Sequence, residues 1–101
     1  MAYTELVRFE WDPAKDQINR KKHGVSFKEA KELLASAEEY LEIFDESHSD
    51  DEERFIAIGP LRRGLMVVVW TESTEDTTRI ISARWATKRE KDLYREYMEV
   101  R

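Results

Sequence analysis

Apolar residues occupy every second position at the start of the chain, where single residues separate Val7, Phe9 and Trp11. This period of two predicts a half-buried β-strand. Short apolar runs between polar turns predict four further strands, at Tyr40 to Asp45, Arg54 to Gly59, Leu65 to Trp70 and Arg79 to Ala86. The third of these runs is unbroken, which is typical of a central strand covered on both faces. The polar stretches between the strands are predicted to be connections, at Glu46 to Glu53, Pro60 to Gly64 and Glu72 to Thr78.

A first helix is predicted between the first strand and Gly24. Asp12 and Pro13 are typical of a helix cap and a first helical residue, and Gly24 is typical of a helix end. We therefore expect a helix from Pro13 to His23. Its apolar residues are few, so it should lie on the surface.

Two capping boxes, each a Ser or Thr followed three positions later by Glu, predict where two more helices begin. They are Ser26 with Glu29 and Thr87 with Glu90. The second helix carries apolar residues at helical spacing, which we expect to cover the sheet: Phe27, Ala30, Leu33, Leu34 and Ala37. The third carries a shorter apolar stripe, at Leu93, Tyr94, Tyr97 and Met98. Core packing is expected for this stripe, with partner binding as the alternative.

The order of these elements predicts an α+β fold. Short connections between the four later strands favour an antiparallel meander. We expect two N-terminal helices and a C-terminal helix packed on a mainly antiparallel sheet of four to five strands. A length of 101 residues, without repeats or Gly/Ser linkers, predicts that residues 1–101 form a single domain.

Composition and charge narrow the possible chemistry. The chain has no cysteine and only two histidines, so neither a disulfide, a thiolate site, a metal site nor a cofactor is expected. It has no apolar stretch long enough to span a membrane and no leader pattern, so a cytoplasmic location without membrane contact is expected. The net charge of -5 is concentrated, because Glu38 to Glu53 contains nine carboxylates and no Lys or Arg. That segment is either a solvated loop, a docking edge for a basic partner, or a screen against non-specific nucleic-acid binding.

The segment RIISARWATKRE, from Arg79 to Glu90, predicts an anion site. Strict alternation would place Ile81, Ala83 and Trp85 on one strand face and Ile80, Ser82 and Arg84 on the other. The capping box begins the last helix beside Arg84, and a helix N-terminus with nearby cations attracts phosphate. The alternative is that Arg84 and Arg89 are surface charges paired with Glu90 or Asp92.

Four pieces of the sequence together resemble the BrnT family of type II toxins. They are FEWDPAKDQINRKKHGVSF from Phe9, ERF with a following IG between Glu53 and Gly59, GLMVVVWTE from Gly64, and RIISARWATKRE with Tyr94. The resemblance covers roughly Phe9 to Tyr94, and the joint order of the pieces is specific. It implies a fold similar to RelE-like ribonuclease toxins and a ribosome-independent RNA endonuclease that arrests growth. It also implies a partner similar to BrnA, a basic ribbon-helix-helix antitoxin that neutralises the toxin in a hetero-oligomer and alone contacts operator DNA.

Metal-independent RNA cleavage needs a base for the ribose 2′-hydroxyl, an acid for the leaving oxygen and positive charge on the phosphate, and it forms a 2′,3′-cyclic phosphate. The candidate catalytic residues are Arg84, His23, Glu53 and Arg79. The candidate substrate-binding residues are Lys22, Thr87, Lys88 and Arg89. His23 could instead serve the helix dipole, and Glu53 could pair with Arg54.

Two features weaken the expectation of full activity. The net charge is negative, and Trp85 stands where related sequences commonly have a basic residue. Trp11, Trp70 and Trp85 are expected in the core, with base stacking as the alternative. A catalytically weak or inactive module that acts as a co-repressor in the antitoxin complex is therefore the alternative function.

Overall fold

The computed structural model describes residues 8–36, 40–45, 53–74 and 76–100. The strands are β1 (Arg8–Glu10), β2 (Leu41–Phe44), β3 (Arg54–Leu61), β4 (Gly64–Thr74) and β5 (Thr77–Trp85), and the helices are α1 (Pro13–His23), α2 (Phe27–Ala35) and α3 (Lys88–Glu99). The sheet order is β1-β5-β4-β3-β2, with β1 parallel to β5 and all other pairs antiparallel. The predicted α+β class, three helices and central β4 are confirmed.

Helix α1 has the predicted bounds and caps. The Asp12 carboxylate accepts a hydrogen bond from the Ala14 N–H at 2.9 Å, and Gly24 ends the helix with a left-handed φ of 76°. What holds this polar helix to the sheet is Asn19, its only buried residue. The Asn19 side chain donates to the carbonyls of Val25 (3.0 Å) and Ala83 (2.8 Å) and accepts from the Ala83 N–H at 3.3 Å. Asn19 therefore satisfies the β5 backbone beyond the short β1 partner, as a neighbouring strand would.

Helix α2 covers one face of the sheet, as predicted. Its buried residues Phe27, Ala30 and Leu33 form one cluster with Val25 and with residues of β3, β4 and β5. Ala37, predicted in the same stripe, and most of the predicted loop from Glu46 to Glu53 lie outside the described residues.

Helix α3 packs against β3, and its apolar stripe is only partly covered. Leu93 is 41% exposed and Met98 37% exposed, and no residue of α3 is fully buried. None of the helices among the described residues is long and apolar enough to cross a membrane.

Strict alternation along β5 was wrong at one position. Val69 pairs with Ser82, but the next residue, Trp70, pairs with Ile80, so Ile81 is the extra residue of a β-bulge. Ile80 consequently enters the same buried cluster as Ala83. The predicted connections are also shorter than expected, because β3 continues through Pro60 to Leu61 and β4 to Thr74.

Candidate phosphate-binding site

Arg84 lies near the end of β5, directly before the start of α3. Both ends of its guanidinium bind Glu90: Nη1 donates to Oε1 and Nη2 to Oε2, each at 2.8 Å. Nη1 also donates to the Trp85 carbonyl at 3.3 Å. This fork geometry is the one that Arg uses for carboxylates and for phosphates.

The Glu90 carboxylate also occupies the N-terminus of α3. Its Oε1 accepts from the Thr87 N–H at 2.8 Å, while the Thr87 hydroxyl accepts from the Glu90 N–H at 3.2 Å. The hydrogen bonds from Arg84, followed by the Thr87 N–H, lower the pKa of Glu90 to about 2 despite partial burial. The same pairing raises the pKa of Arg84. Arg84 and the N-terminus of α3 thus both bind the chain's own Glu90 carboxylate, which is the alternative drawn from the sequence.

A groove of about 370 Å³ lies between α1 and β5. Lys15, Lys22 and His23 line it from α1, and Ile81 and Ser82 line it from β5, together with Ile18 and Asn19. The α1 side chains of this lining share one face of the helix because they recur every three or four residues. The lining includes no carboxylate among the residues that the structure describes. It is therefore a positively charged groove.

Arg84 does not line the groove but lies two residues beyond it on β5. Ser82 and Arg84 are two residues apart on β5, so they share a face and their Cα atoms are roughly 7 Å apart along the strand. The structure therefore brings Lys22 and His23 next to the strand that carries Arg84. Thr87 lies at the same end as the cap of α3, Arg89 is exposed on its first turn, and Lys88 pairs with Asp92 at 3.2 Å.

Arg79 and Glu53 lie at the other end of the sheet. Arg79 pairs with Glu10 at 3.0 Å. Its partner on β4 is Thr71 and that of Arg84 is Val67, four residues apart, so the Cα atoms of the two arginines are roughly 13 Å apart. The carbonyl of the exposed Glu53 accepts from the Thr71 hydroxyl at 2.6 Å, and Thr71 is the cross-strand partner of Arg79. The structure does not bring these two candidates together with Arg84.

Trp85 is half-buried at the margin of the core, on the opposite face of β5 from Arg84. The Arg63 guanidinium lies over its ring, 5.0 Å from the ring centroid, and pairs with Glu29 at 2.9 Å. No local pattern indicates the contact of Arg63 with Trp85, since Arg63 lies in a turn far along the chain. Asn19 was missed for a similar reason, because a polar residue on a polar helix carries no burial signal.

Among residues 8–36, 40–45, 53–74 and 76–100, no three His, Cys, Asp or Glu side chains form a group that could hold a metal ion.

The comparisons with known proteins identify the family. The crystal structure of the Brucella abortus ribonuclease toxin BrnT is similar in fold, with a TM-score of 0.59 and 22% identity over 81% of this chain and 99% of that chain. No curated protein matches the chain. A model of the family described as the ribonuclease toxin BrnT of type II toxin-antitoxin systems matches residues 11–90. The chain therefore belongs to the BrnT family of ribonuclease toxins.

Proposed function

We propose that this chain is a cytoplasmic, ribosome-independent and metal-independent RNA endonuclease that arrests growth. The observation that carries the proposal is the positively charged groove between α1 and β5, which Lys22, His23 and Ser82 line, with Arg84 two residues after Ser82 on the same strand. A single-stranded RNA backbone fits such a groove because closely spaced cations neutralise successive phosphates.

In this proposal the ribose 2′-hydroxyl attacks the adjacent phosphorus and the bond from phosphorus to the 5′-oxygen breaks. His23 accepts the 2′-hydroxyl proton and solvent water gives a proton to the leaving 5′-oxygen, so the products are a 2′,3′-cyclic phosphate and a 5′-hydroxyl. Arg84 binds the non-bridging oxygens once it exchanges Glu90 for the phosphate. Lys22 holds a neighbouring phosphate. Proton transfer falls to His23 rather than Glu53, because Glu53 lies at the opposite end of the sheet.

The test is cleavage of purified single-stranded RNA in EDTA by the wild type and by His23→Ala and Lys22→Ala. Lys21→Ala is the matched control, since it removes an exposed neighbouring charge that does not line the groove. We expect cyclic-phosphate ends from the wild type, a rate at least about 100-fold lower for His23→Ala, and little change for Lys21→Ala. Equal rates for the three variants would contradict the proposed groove.

We further propose that a BrnA-like ribbon-helix-helix antitoxin neutralises the chain in a hetero-oligomer and alone contacts operator DNA. Support comes from a pocket of about 240 Å³ where Phe9, Tyr40 and Trp70 lie with the carboxylates of Glu42 and Glu72. Aromatic faces and carboxylates together suit a Lys or Arg side chain. Burial, and then the charge of Glu42, raise the pKa of Tyr40, so its hydroxyl stays neutral beside such a cation.

Co-purification with the tagged antitoxin tests this pocket. Glu42→Gln combined with Glu72→Gln should weaken retention of the partner at low salt and make the remaining binding less dependent on salt, because fewer charge pairs are left to screen. Unchanged retention at all salt concentrations would show that the antitoxin binds elsewhere.

The second candidate function is that of a catalytically weak co-repressor. The pairing of Arg84 with Glu90 favours it, because the guanidinium is already neutralised, and so does the net charge of -5. This candidate predicts altered operator binding by the complex with RNA left intact. RNA cleavage by the isolated chain would exclude it.

A further inference from the structure

Arg63, in the turn between β3 and β4, stacks on Trp85. The Arg63 guanidinium lies over the Trp85 ring, 5.0 Å from its centroid, and its Nη2 also donates to Glu29 Oε2 at 2.9 Å. Glu29 is itself fixed as the capping residue of α2, since its Oε1 accepts from the Ser26 N–H at 2.9 Å. The Ser26 N–H and the Arg63 guanidinium lower the pKa of Glu29, so the carboxylate remains charged. The guanidinium is therefore held in place from two sides.

The outer face of this guanidinium is open. The Arg63 side chain is 58% exposed, and it borders a pocket of about 280 Å³ with Trp85, Gly64, Ala86 and Lys91. Because Glu29 neutralises much of the Arg63 charge, the group offers a planar stacking surface more than a free cation. Lys91 supplies a cation on the opposite wall.

We propose that this pocket is a base-stacking subsite for single-stranded RNA, in which a base lies on the outer face of Arg63. Arginine planes and aromatic rings are the usual platforms for unpaired bases, and a base stacked on Arg63 would extend the layer that begins with Trp85. Lys91 would contact the attached phosphate. The inference deepens the proposed endonuclease function and rests on it.

The location links this subsite to the phosphate site. Arg84 and Trp85 are consecutive residues on opposite faces of β5, and Arg84 Nη1 donates to the Trp85 carbonyl. An RNA strand whose phosphate binds at Arg84 would therefore pass around the end of β5 to place a neighbouring base on the Arg63 face. The Trp85 ring supports the Arg63 plane on its inner side.

The experiment measures binding of a fluorescent 2′-O-methyl octaribonucleotide, which has no free 2′-hydroxyl and cannot be cleaved. Arg63→Ala is compared with Arg62→Ala. The Arg62 side chain lies in the same turn and forms its own ion pair to α2, with Glu32 at 2.9 Å, but it does not line the pocket. Arg63→Lys keeps a positive charge that can reach Glu29 but removes the planar guanidinium group. We expect Arg63→Ala and Arg63→Lys each to weaken binding at least about 5-fold, and Arg62→Ala less than about 2-fold.

A probe that carries one abasic nucleotide gives the second readout. When the missing base is the one that stacks on Arg63, the wild type should bind the abasic probe as weakly as Arg63→Ala binds the intact probe. Arg63→Ala should then bind the abasic probe no more weakly than the wild type does. Equal losses for Arg62→Ala and Arg63→Ala, or wild-type affinity for Arg63→Lys, would overturn the subsite. Binding with the expected pattern but no RNA cleavage would uphold the subsite and refute the nuclease, and cleavage without the pattern would do the reverse.

Discussion

Replacing Glu90 with Gln tests whether the chain fills its own anion site. The amide oxygen of Gln can still accept the Thr87 N–H, so the cap of α3 is retained. The substitution removes the carboxylate charge and one of the two hydrogen bonds that Glu90 accepts from the Arg84 guanidinium. The substitution therefore isolates the ion pair from the helix cap.

The magnitude follows from the pKa of Glu90. A fall from 4.5 to about 2 corresponds to roughly 3 kcal/mol of stability as an upper bound. Arg84 is 35% exposed and Glu90 22% exposed, so screening by solvent reduces this to about 1–2 kcal/mol. Because the folded-state pKa is lowered, this stability is fully present above pH 4.5 and is lost as the pH falls from about 4.5 towards 2.

Chemical denaturation at pH 7 and at pH 2.5 measures the effect. Glu90→Gln should be about 1–2 kcal/mol less stable than wild type at pH 7, and the difference should shrink at pH 2.5. Asp92→Asn, which removes exposed pairs with Lys88 and Arg95, should cost less than about 0.5 kcal/mol. A wild-type protein and Glu90→Gln of equal stability at pH 7 would refute the ion pair, and a pH-independent difference would refute its electrostatic origin.

Three further predictions concern the Glu90 site and the fold. Glu90→Gln should also bind the 2′-O-methyl RNA more tightly than wild type because it frees Arg84, and weaker binding in a fluorescence titration would contradict this. Asn19→Ala should lower the free energy of unfolding by about 2–4 kcal/mol, since it leaves buried Ala83 backbone groups unpaired, and denaturant titration would disprove the anchor if the loss were below about 0.5 kcal/mol. Gly59→Ala should lower the melting temperature, because an added Cβ would lie 2.6 Å from Tyr40 Cβ, and an unchanged melting temperature would count against this close contact.

Local signals in the sequence predicted most of the fold. The bounds of α1 were predicted correctly because Asp12, Pro13 and Gly24 act on the backbone within a few residues. Both capping boxes formed for the same reason. The bulge at Ile81 could not be predicted, because it depends on how β5 pairs with β4, and alternation within one strand contains no information about its partner.

The candidate site was less predictable than the fold. The sequence indicated Arg84 and the start of α3 because they are neighbours along the chain. Whether Glu90 caps the helix or also takes the guanidinium depends on the angle between β5 and α3, which no local pattern sets. Arg79 was grouped with Arg84 by proximity in sequence, but the four strand residues between them hold their Cα atoms roughly 13 Å apart.

The most direct test of the central claim is the initial rate of RNA cleavage by wild type and Arg84→Ala, in EDTA and with product ends identified. The wild type should produce 2′,3′-cyclic phosphate ends. Arg84→Ala should cleave roughly 100- to 1000-fold more slowly, because the variant lacks the guanidinium that stabilises charge on the phosphate. Arg95→Ala, which removes an exposed charge from α3, should cleave like the wild type. No cleavage by the wild type, or equal rates for wild type and Arg84→Ala, would contradict the central claim.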